Sequence, residues 1–527
     1  MTTWDLLITG GEVVDGTGGP VRRADVAVLD GKVAAVGDVG TGAAARTVDA
    51  TGRWVCPGFV DVHTHSDLTL LSNPEAHSKV RQGVTTEVVG NCGLGVTPLT
   101  RGADVDAIRA AVSYLDVDPA VAWTWRDQAD YLDTVAAARP SVNVAALVAH
   151  LPLRAGVVGF DDREADSDDV EVMSDLLADS LEAGAVGLST GLMYAPLVFA
   201  RRSELEELGR VVADYDRVFA WHLRDYADDL LVGVREAIEI AERTGCRTQI
   251  SHLVAVGQRN WGGVGAALEL VDAARARGVD VGVDIYPYLA GNAPLSQRLP
   301  AWAQAGGDLA MRLHDPDVVE RIRSEWADSP LSWDDITING APSPAGDAVT
   351  GRVVGEIARE LGVHPDVVAL DALAEFGNAV TMVAGGRDQG DLVAALTHSA
   401  AVIGSDGQAL DPNGPTGTGV PHPRSYGCYP RLFAEFVRPG VLPVAEAVAK
   451  CSGAAAARVG LRDRGVVAAD AAADIVIIDP DHVTDRATFA DPHQFPDGID
   501  MVVVNGRIVV DHDGHTSERS GTVLRAS

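Results

Sequence analysis

Residues 59–65 read Phe59-Val60-Asp61-Val62-His63-Thr64-His65, and this stretch decides the fold. Apolar, β-forming residues run into two histidines one residue apart. On a strand, side chains alternate between faces, so His63 and His65 point one way and Thr64 the other. Two imidazoles on one side of a strand end can grip one metal ion, or open a site shared by two. Taken alone, the pair reads equally well as two hydrogen-bonded core histidines. Residues farther along decide between the readings.

Working outward, short apolar runs recur with a polar residue at their ends. Strand candidates finish the stretches 59–65, 85–92, 144–150, 185–190, 218–222, 248–252, 281–286 and 402–406. Apolar helical periodicity separates many of them, as at 169–183, 203–215, 229–244 and 263–277. Eight strands alternating with helices predict an α/β protein built on a closed parallel (β/α)8 TIM barrel. Between strands seven and eight the alternation breaks. Residues 291–352 hold Pro294, Pro300, Pro330, Pro342 and Pro344 with Trp302, Trp326 and Trp333, and read as an inserted subdomain placed to lid the barrel mouth. At the termini the texture is hairpins, with Asp30-Gly31 and Asn505-Gly506 between alternating apolar runs. Neither terminal segment is large enough for its own core, so the two are expected to pack as one small β-sandwich. The expected division is 1–56 plus 460–527 for the sandwich, 57–290 plus 353–459 for the catalytic barrel, and 291–352 for the insert.

A chain of 527 residues with 46% hydrophobic and 5% aromatic content has ample material for folded domains. Its formal charge of −33 argues against nucleic acid or an anionic membrane surface as partner. No apolar run approaches the roughly 18–20 residues that span a bilayer. Five scattered cysteines, Cys56, Cys92, Cys246, Cys428 and Cys451, suit free thiols in a reducing cytoplasm, which is the expected location. Only three lysines occur, Lys32, Lys79 and Lys450; none has an evident active-site setting, so Schiff-base chemistry is not expected.

In a parallel barrel the carboxyl ends of the strands converge on one face, where chemistry happens. His63 and His65 close strand one, Cys92 strand two, His222 strand five, His252 strand six and Asp406 strand eight. Each has an ordinary alternative: a small buried thiol, a strand-capping imidazole, a turn aspartate. Together, four histidines, a thiol and a carboxylate at strand ends make a zinc-type ligand set.

The chain resembles the D-aminoacylase (N-acyl-D-amino-acid deacylase) family of the amidohydrolase superfamily. The resemblance is carried by Pro57-Gly-Phe-Val-Asp-Val-His-Thr-His65, Gly90-Asn-Cys-Gly93, Ser251-His-Leu253, Asp284-Ile-Tyr-Pro-Tyr288, Gly404-Ser-Asp-Gly407, His422-Pro-Arg-Ser-Tyr-Gly427 and Asp491-Pro-His-Gln-Phe495, and spans nearly the whole chain. Many superfamily relatives bridge two metals with a lysine on strand four, where this chain has Ser189 and Thr190. By resemblance Cys92 takes that duty. Cys92, His222 and His252 would hold a tight zinc, and His63, His65 and Asp406 a weaker second position.

The implied reaction is hydrolysis of an N-acyl-D-amino acid by a metal-activated water, with Asp406 as general base and then acid. The resemblance also implies that Arg424 and Tyr286 hold the carboxylate of a small-molecule substrate. Met193, Tyr194, Asn292 and Val254 are further candidates for the substrate pocket. Val254 stands where the family often has lysine and Asn292 where it often has serine. Loss of that cation implies a substrate whose side chain is not acidic. A cyclic-imide hydrolase of the hydantoinase or dihydropyrimidinase kind, and a catalytically silent scaffold, are the alternatives. The sequence leaves the oligomeric state open.

Overall fold

The computed structural model of the chain describes residues 3–40, 43–100, 102–307 and 309–526. Eight parallel strands hydrogen-bond in chain order: Phe59–Asp61, Val84–Val89, Asn143–Ala149, Gly187–Gly191, Val218–His222, Arg247–Ile250, Val281–Ile285 and Ala401–Ile403. The first and last meet just beyond their ends. Thr64 bridges Gly407 in parallel, Asp406 N–H donates to His63 O at 2.7 Å, and His65 N–H donates to Gly407 O at 2.9 Å. The backbone that closes the barrel therefore belongs to the candidate ligands themselves.

Alternation along the strands explains what faces inward. Val60, Val62, Val88, Ala145, Leu147, Val186, Val218, Ala220 and Val402 form an inner apolar cluster, joined by Ala455, Ala456 and Val459 of a late helical segment. His222 shares the parity of Val218 and Ala220 and ends their row. The helices Ser167–Glu182, Arg202–Asp214, Leu230–Thr244 and Gly263–Ala276 lie within a residue or two of the periodic segments, and a capping box at Asp166 and Asp169 starts the first of them.

Strands from both termini share one nine-stranded sheet. Trp54–Pro57 pairs antiparallel with Ile475–Ile478 and so stitches the two ends together. Asp30-Gly31 and Asn505-Gly506 turn the hairpins as their composition predicts. Leu6, Ile8, Val26, Val28, Val55, Ile475, Ile477 and Val503 form this sheet's core.

The insert is larger than expected. Thr381–Ala384 lies centrally in its four-stranded antiparallel sheet, between Gly291–Pro294 and Ile336–Gly340, so the unit runs on through Ala384 and does not stop at 352. The helices Val354–Leu361 and Pro365–Phe376 carry a periodicity that suits barrel helices equally well. Their apolar residues, Ile357, Ala358, Leu370 and Leu373, instead join Leu295, Ile336, Ile338 and Met382 in a separate core. Among the described residues no helix is long and apolar enough to cross a membrane.

Candidate active site

The six ligand candidates meet at the carboxyl end of the barrel, all buried. Two sets of donor atoms share Cys92. His63, His65, Cys92 and Asp406 form one, and Cys92, His222 and His252 the other, with the atoms of each set within 4.8 Å of one another. Cys92 Sγ lies 3.2 Å from His63 Nε2 and 3.5 Å from His252 Nε2, and Asp406 Oδ1 lies 3.0 Å from His65 Nε2. The first strand ends at Asp61, so both histidines of the His-X-His sit just past the regular ladder; Thr64 turns away and donates to Val88 O at 2.9 Å.

Backbone geometry aims three of these side chains. Cys92, His252 and Asp406 have φ of 56°, 34° and 53°, a left-handed conformation that costs a non-glycine residue roughly 1–2 kcal/mol. Such a cost persists where the surroundings hold it. Ser189, on strand four, accepts from Gly93 N–H at 2.9 Å and donates to Gly90 O, gripping the turn that presents Cys92. Gly191 is bare for the same reason: a Cβ there would stand 1.9 Å from Cys92 O. The end of strand four thus serves to position the cysteine.

Two supports were not read from sequence. Asp284 accepts His63 Nδ1–H at 3.0 Å, the His252 backbone N–H at 2.8 Å and Gln249 Nε2–H at 3.3 Å, so one carboxylate orients a ligand from each set. Lys79 is fully buried, 2.9 Å from Asp61 Oδ2, 2.7 Å from Ser405 Oγ and 3.6 Å from Glu87. It lies under strands one and eight, neutralising acids that stand in otherwise apolar runs. His150, at the end of strand three, joins no ligand set; it bonds Thr190 and Glu204, each at 3.0 Å.

The electrostatics suit a cation. Burial lowers His222 to about 3, and burial with His222 beside it holds His252 well below the ordinary range, so both imidazoles are neutral with a lone pair to give. Burial opposes the ionised form of Asp406, but Arg424 and His63 outweigh it and keep the carboxylate charged. Burial pushes the Cys92 thiol up, with His63 opposing. His65 Nδ1 and His222 Nδ1 are buried and lack a hydrogen-bond partner. A thiol, neutral imidazoles and a carboxylate packed this closely fit a borderline-soft divalent ion.

Above the ligand candidates opens a cavity of about 120 Å³. Met193, Tyr194, Val254, Tyr286 and Asn292 line it. Arg424 is buried behind Asp406, its Nη1 2.7 Å from Asp406 Oδ2 but out of hydrogen-bond alignment, and its Nη2 donating to Asn292 O at 3.2 Å. Arg298 and Arg387, from the insert and the segment following it, line the same cavity. Val254 therefore does not leave the cavity without cations.

A profile described as Amidohydrolase family matches residues 46–510. The chain is 37% identical to an N-acyl-D-glutamate deacylase of Alcaligenes xylosoxydans xylosoxydans, over 99% of this chain and 96% of that protein. It is 34% identical to a D-aminoacylase of the same organism, over 99% and 97%. It is also similar to the crystal structure of an N-acyl-D-glutamate deacylase from Bordetella bronchiseptica, complexed with zinc and a phosphonate mimic of the tetrahedral intermediate. The TM-score is 0.85 with 34% identity, covering all of both chains. By full-length similarity, the chain belongs to the amidohydrolase family, among its N-acyl-D-amino-acid deacylases.

Proposed function

We propose that this protein hydrolyses the amide bond of N-acyl-D-amino acids, releasing a carboxylate and a free D-amino acid, at a zinc centre held by Cys92, His222 and His252, with His63, His65 and Asp406 as a second position. The observation that carries this reading is the pair of ligand sets sharing one thiol at the barrel mouth. When bound there, zinc supplies Lewis acidity that polarises the carbonyl and lowers the pKa of water toward 7.

The protein's own residues do the rest. Asp406 is ionised, buried and hydrogen-bonded to His65, so its carboxylate can take a proton from the attacking water and deliver it to the departing nitrogen. The C–N bond breaks, a C–O bond forms, and the amine leaves carrying the proton. Arg424, with the Tyr286 ring 4.8 Å from its guanidinium carbon, is the planar cation suited to the substrate's α-carboxylate. Tyr194 packs on His222 and, with Met193, narrows the cavity floor around the acyl group.

Metal analysis paired with N-acetyl-D-methionine, N-acetyl-D-glutamate and their L-enantiomers tests the assignment. Turnover of the D-forms alone is expected. A metal-loaded protein that cleaves neither enantiomer of either would remove it. Ring opening of a hydantoin in place of amide cleavage would favour the cyclic-imide alternative.

A further inference from the structure

The histidines of the ligand sets differ in what orients them. Asp284, a barrel residue, fixes the His63 ring and the His252 backbone. Among the described residues, no carboxylate meets either ring nitrogen of His222. Its Nδ1 is buried without a hydrogen-bond partner, and its Nε2 lies 3.3 Å from Nε2 of Gln297, a residue of the insert. The ring is otherwise packed among aromatic groups, with His252, Tyr194 and Tyr226 at 4.7, 4.9 and 5.1 Å, centroid to centroid.

Gln297 is held from the insert's side. It sits in the short 3₁₀ turn Leu295–Arg298, and Leu295 and Leu299 to either side of it are buried in the insert's own core. The same carboxamide nitrogen lies 3.0 Å from the Tyr194 hydroxyl. A second glutamine of the insert, Gln304, accepts Ala195 N–H at 3.2 Å and donates to Met193 O at 3.3 Å. Two glutamines thus clasp the loop that carries Tyr194, and one of them reaches past it to a ligand candidate.

A neutral imidazole has one N–H and one lone pair, so the partner at one nitrogen decides the state of the other. With its NH2 toward His222, Gln297 donates to Nε2 and to the phenol oxygen, and the ring proton sits on Nδ1. Turned end for end, the carboxamide presents its oxygen instead, whose two lone pairs accept His222 Nε2–H and Tyr194 O–H together. Only this second arrangement leaves a lone pair on Nδ1 for an ion. We infer that Gln297 is a positioning residue of the metal centre: its carbonyl fixes the His222 tautomer that ligates through Nδ1, and so links zinc affinity to the docking of the insert. The inference rests on the metal centre proposed above and adds to it a partner from outside the barrel. By reciprocity, an insert whose docking tightens zinc binding is held in place by zinc to the same factor.

The test uses the full chain, stripped of metal and titrated with zinc against a chromophoric chelator. Gln297→Leu is expected to raise the zinc Kd roughly 10- to 100-fold, the usual effect of losing the outer partner of a ligating histidine. Gln297→Glu, whose carboxylate can only accept, should hold zinc within about threefold of the wild type or more tightly. Hydrogen exchange over residues 291–304 gives a readout independent of turnover. Zinc should slow it at least about tenfold in the wild type and less than about threefold in Gln297→Leu. If Gln297→Leu does not fold, the Gln297→Glu titration and the wild-type exchange decide. A Kd moved less than threefold by Gln297→Leu, a Kd raised more than tenfold by Gln297→Glu, or wild-type exchange that zinc leaves unchanged overturns the proposal and leaves the deacylase reading standing. A wild type that binds no zinc removes the metal centre as well.

Discussion

Replacing Asp284 with asparagine separates the orientation of the metal site from its ligands. The Asp284 carboxylate touches no candidate ion, yet its Oδ1 receives His63 Nδ1–H at 3.0 Å and the His252 N–H at 2.8 Å, while Oδ2 receives Gln249. These bonds fix the His63 tautomer, leaving Nε2 as the ligand atom, and pin His252 in its left-handed backbone conformation. A hydrogen bond to a charged acceptor contributes roughly 1.5–3 kcal/mol. The amide oxygen of asparagine can still accept one of the Oδ1 bonds, but without the charge, and its NH2 faces a donor on the other side. The expected loss is about 1.5–3 kcal/mol of metal binding, or a 10- to 100-fold rise in Kd. Metal-free protein titrated against a chromophoric chelator measures this directly, and circular dichroism checks that the fold persists. A Kd within threefold of the wild type, on a folded protein, would refute the argument that this carboxylate sets ligand geometry.

Lys79→Met should leave Asp61 and Glu87 buried and uncompensated, at a cost of about 3–5 kcal/mol in a denaturant titration; a loss under 1 kcal/mol would contradict the role assigned to it. Asp406→Asn should lower kcat roughly 10²- to 10⁴-fold while one equivalent of zinc remains at Cys92, His222 and His252; full loss of zinc would instead make Asp406 chiefly a ligand. Burial, then the neighbouring His77, pushes His515 down to about 4, where its Nδ1 accepts Ser517 N–H and its Nε2 bonds Ser141 at 3.0 Å. Histidine in the unfolded chain titrates near 6.5, so between there and 4 the unfolded state binds the extra proton first. This contribution is complete above about pH 6.5 and is lost as pH falls toward 4. His515→Asn should flatten that acid decline in Tm, and parallel curves would count against it.

What could be read from the chain alone follows from which element carries each group. A barrel strand delivers one end to a common face, so His63, His65, Cys92, His222, His252 and Asp406 are legible as a set from the chain alone. The same rule could have exposed the supports. Asp61, Glu87 and Asp284 are acids inside apolar strand-forming runs, and a buried carboxylate demands a cation or several donors. Lys79, one of three lysines, answers the first two, and His63 with the His252 amide answers the third. The insert follows no such rule. Its end was misplaced because Val354–Leu361 and Pro365–Phe376 carry a helical periodicity that does not say which core they serve. That error reaches the cavity, since Arg387, one of its lining residues, follows the last strand of the insert. Val254, taken alone on its barrel strand end, pointed to a pocket short of cations. Arg298 and Arg387 line the same cavity, so its cations could not be counted from the barrel strand ends alone.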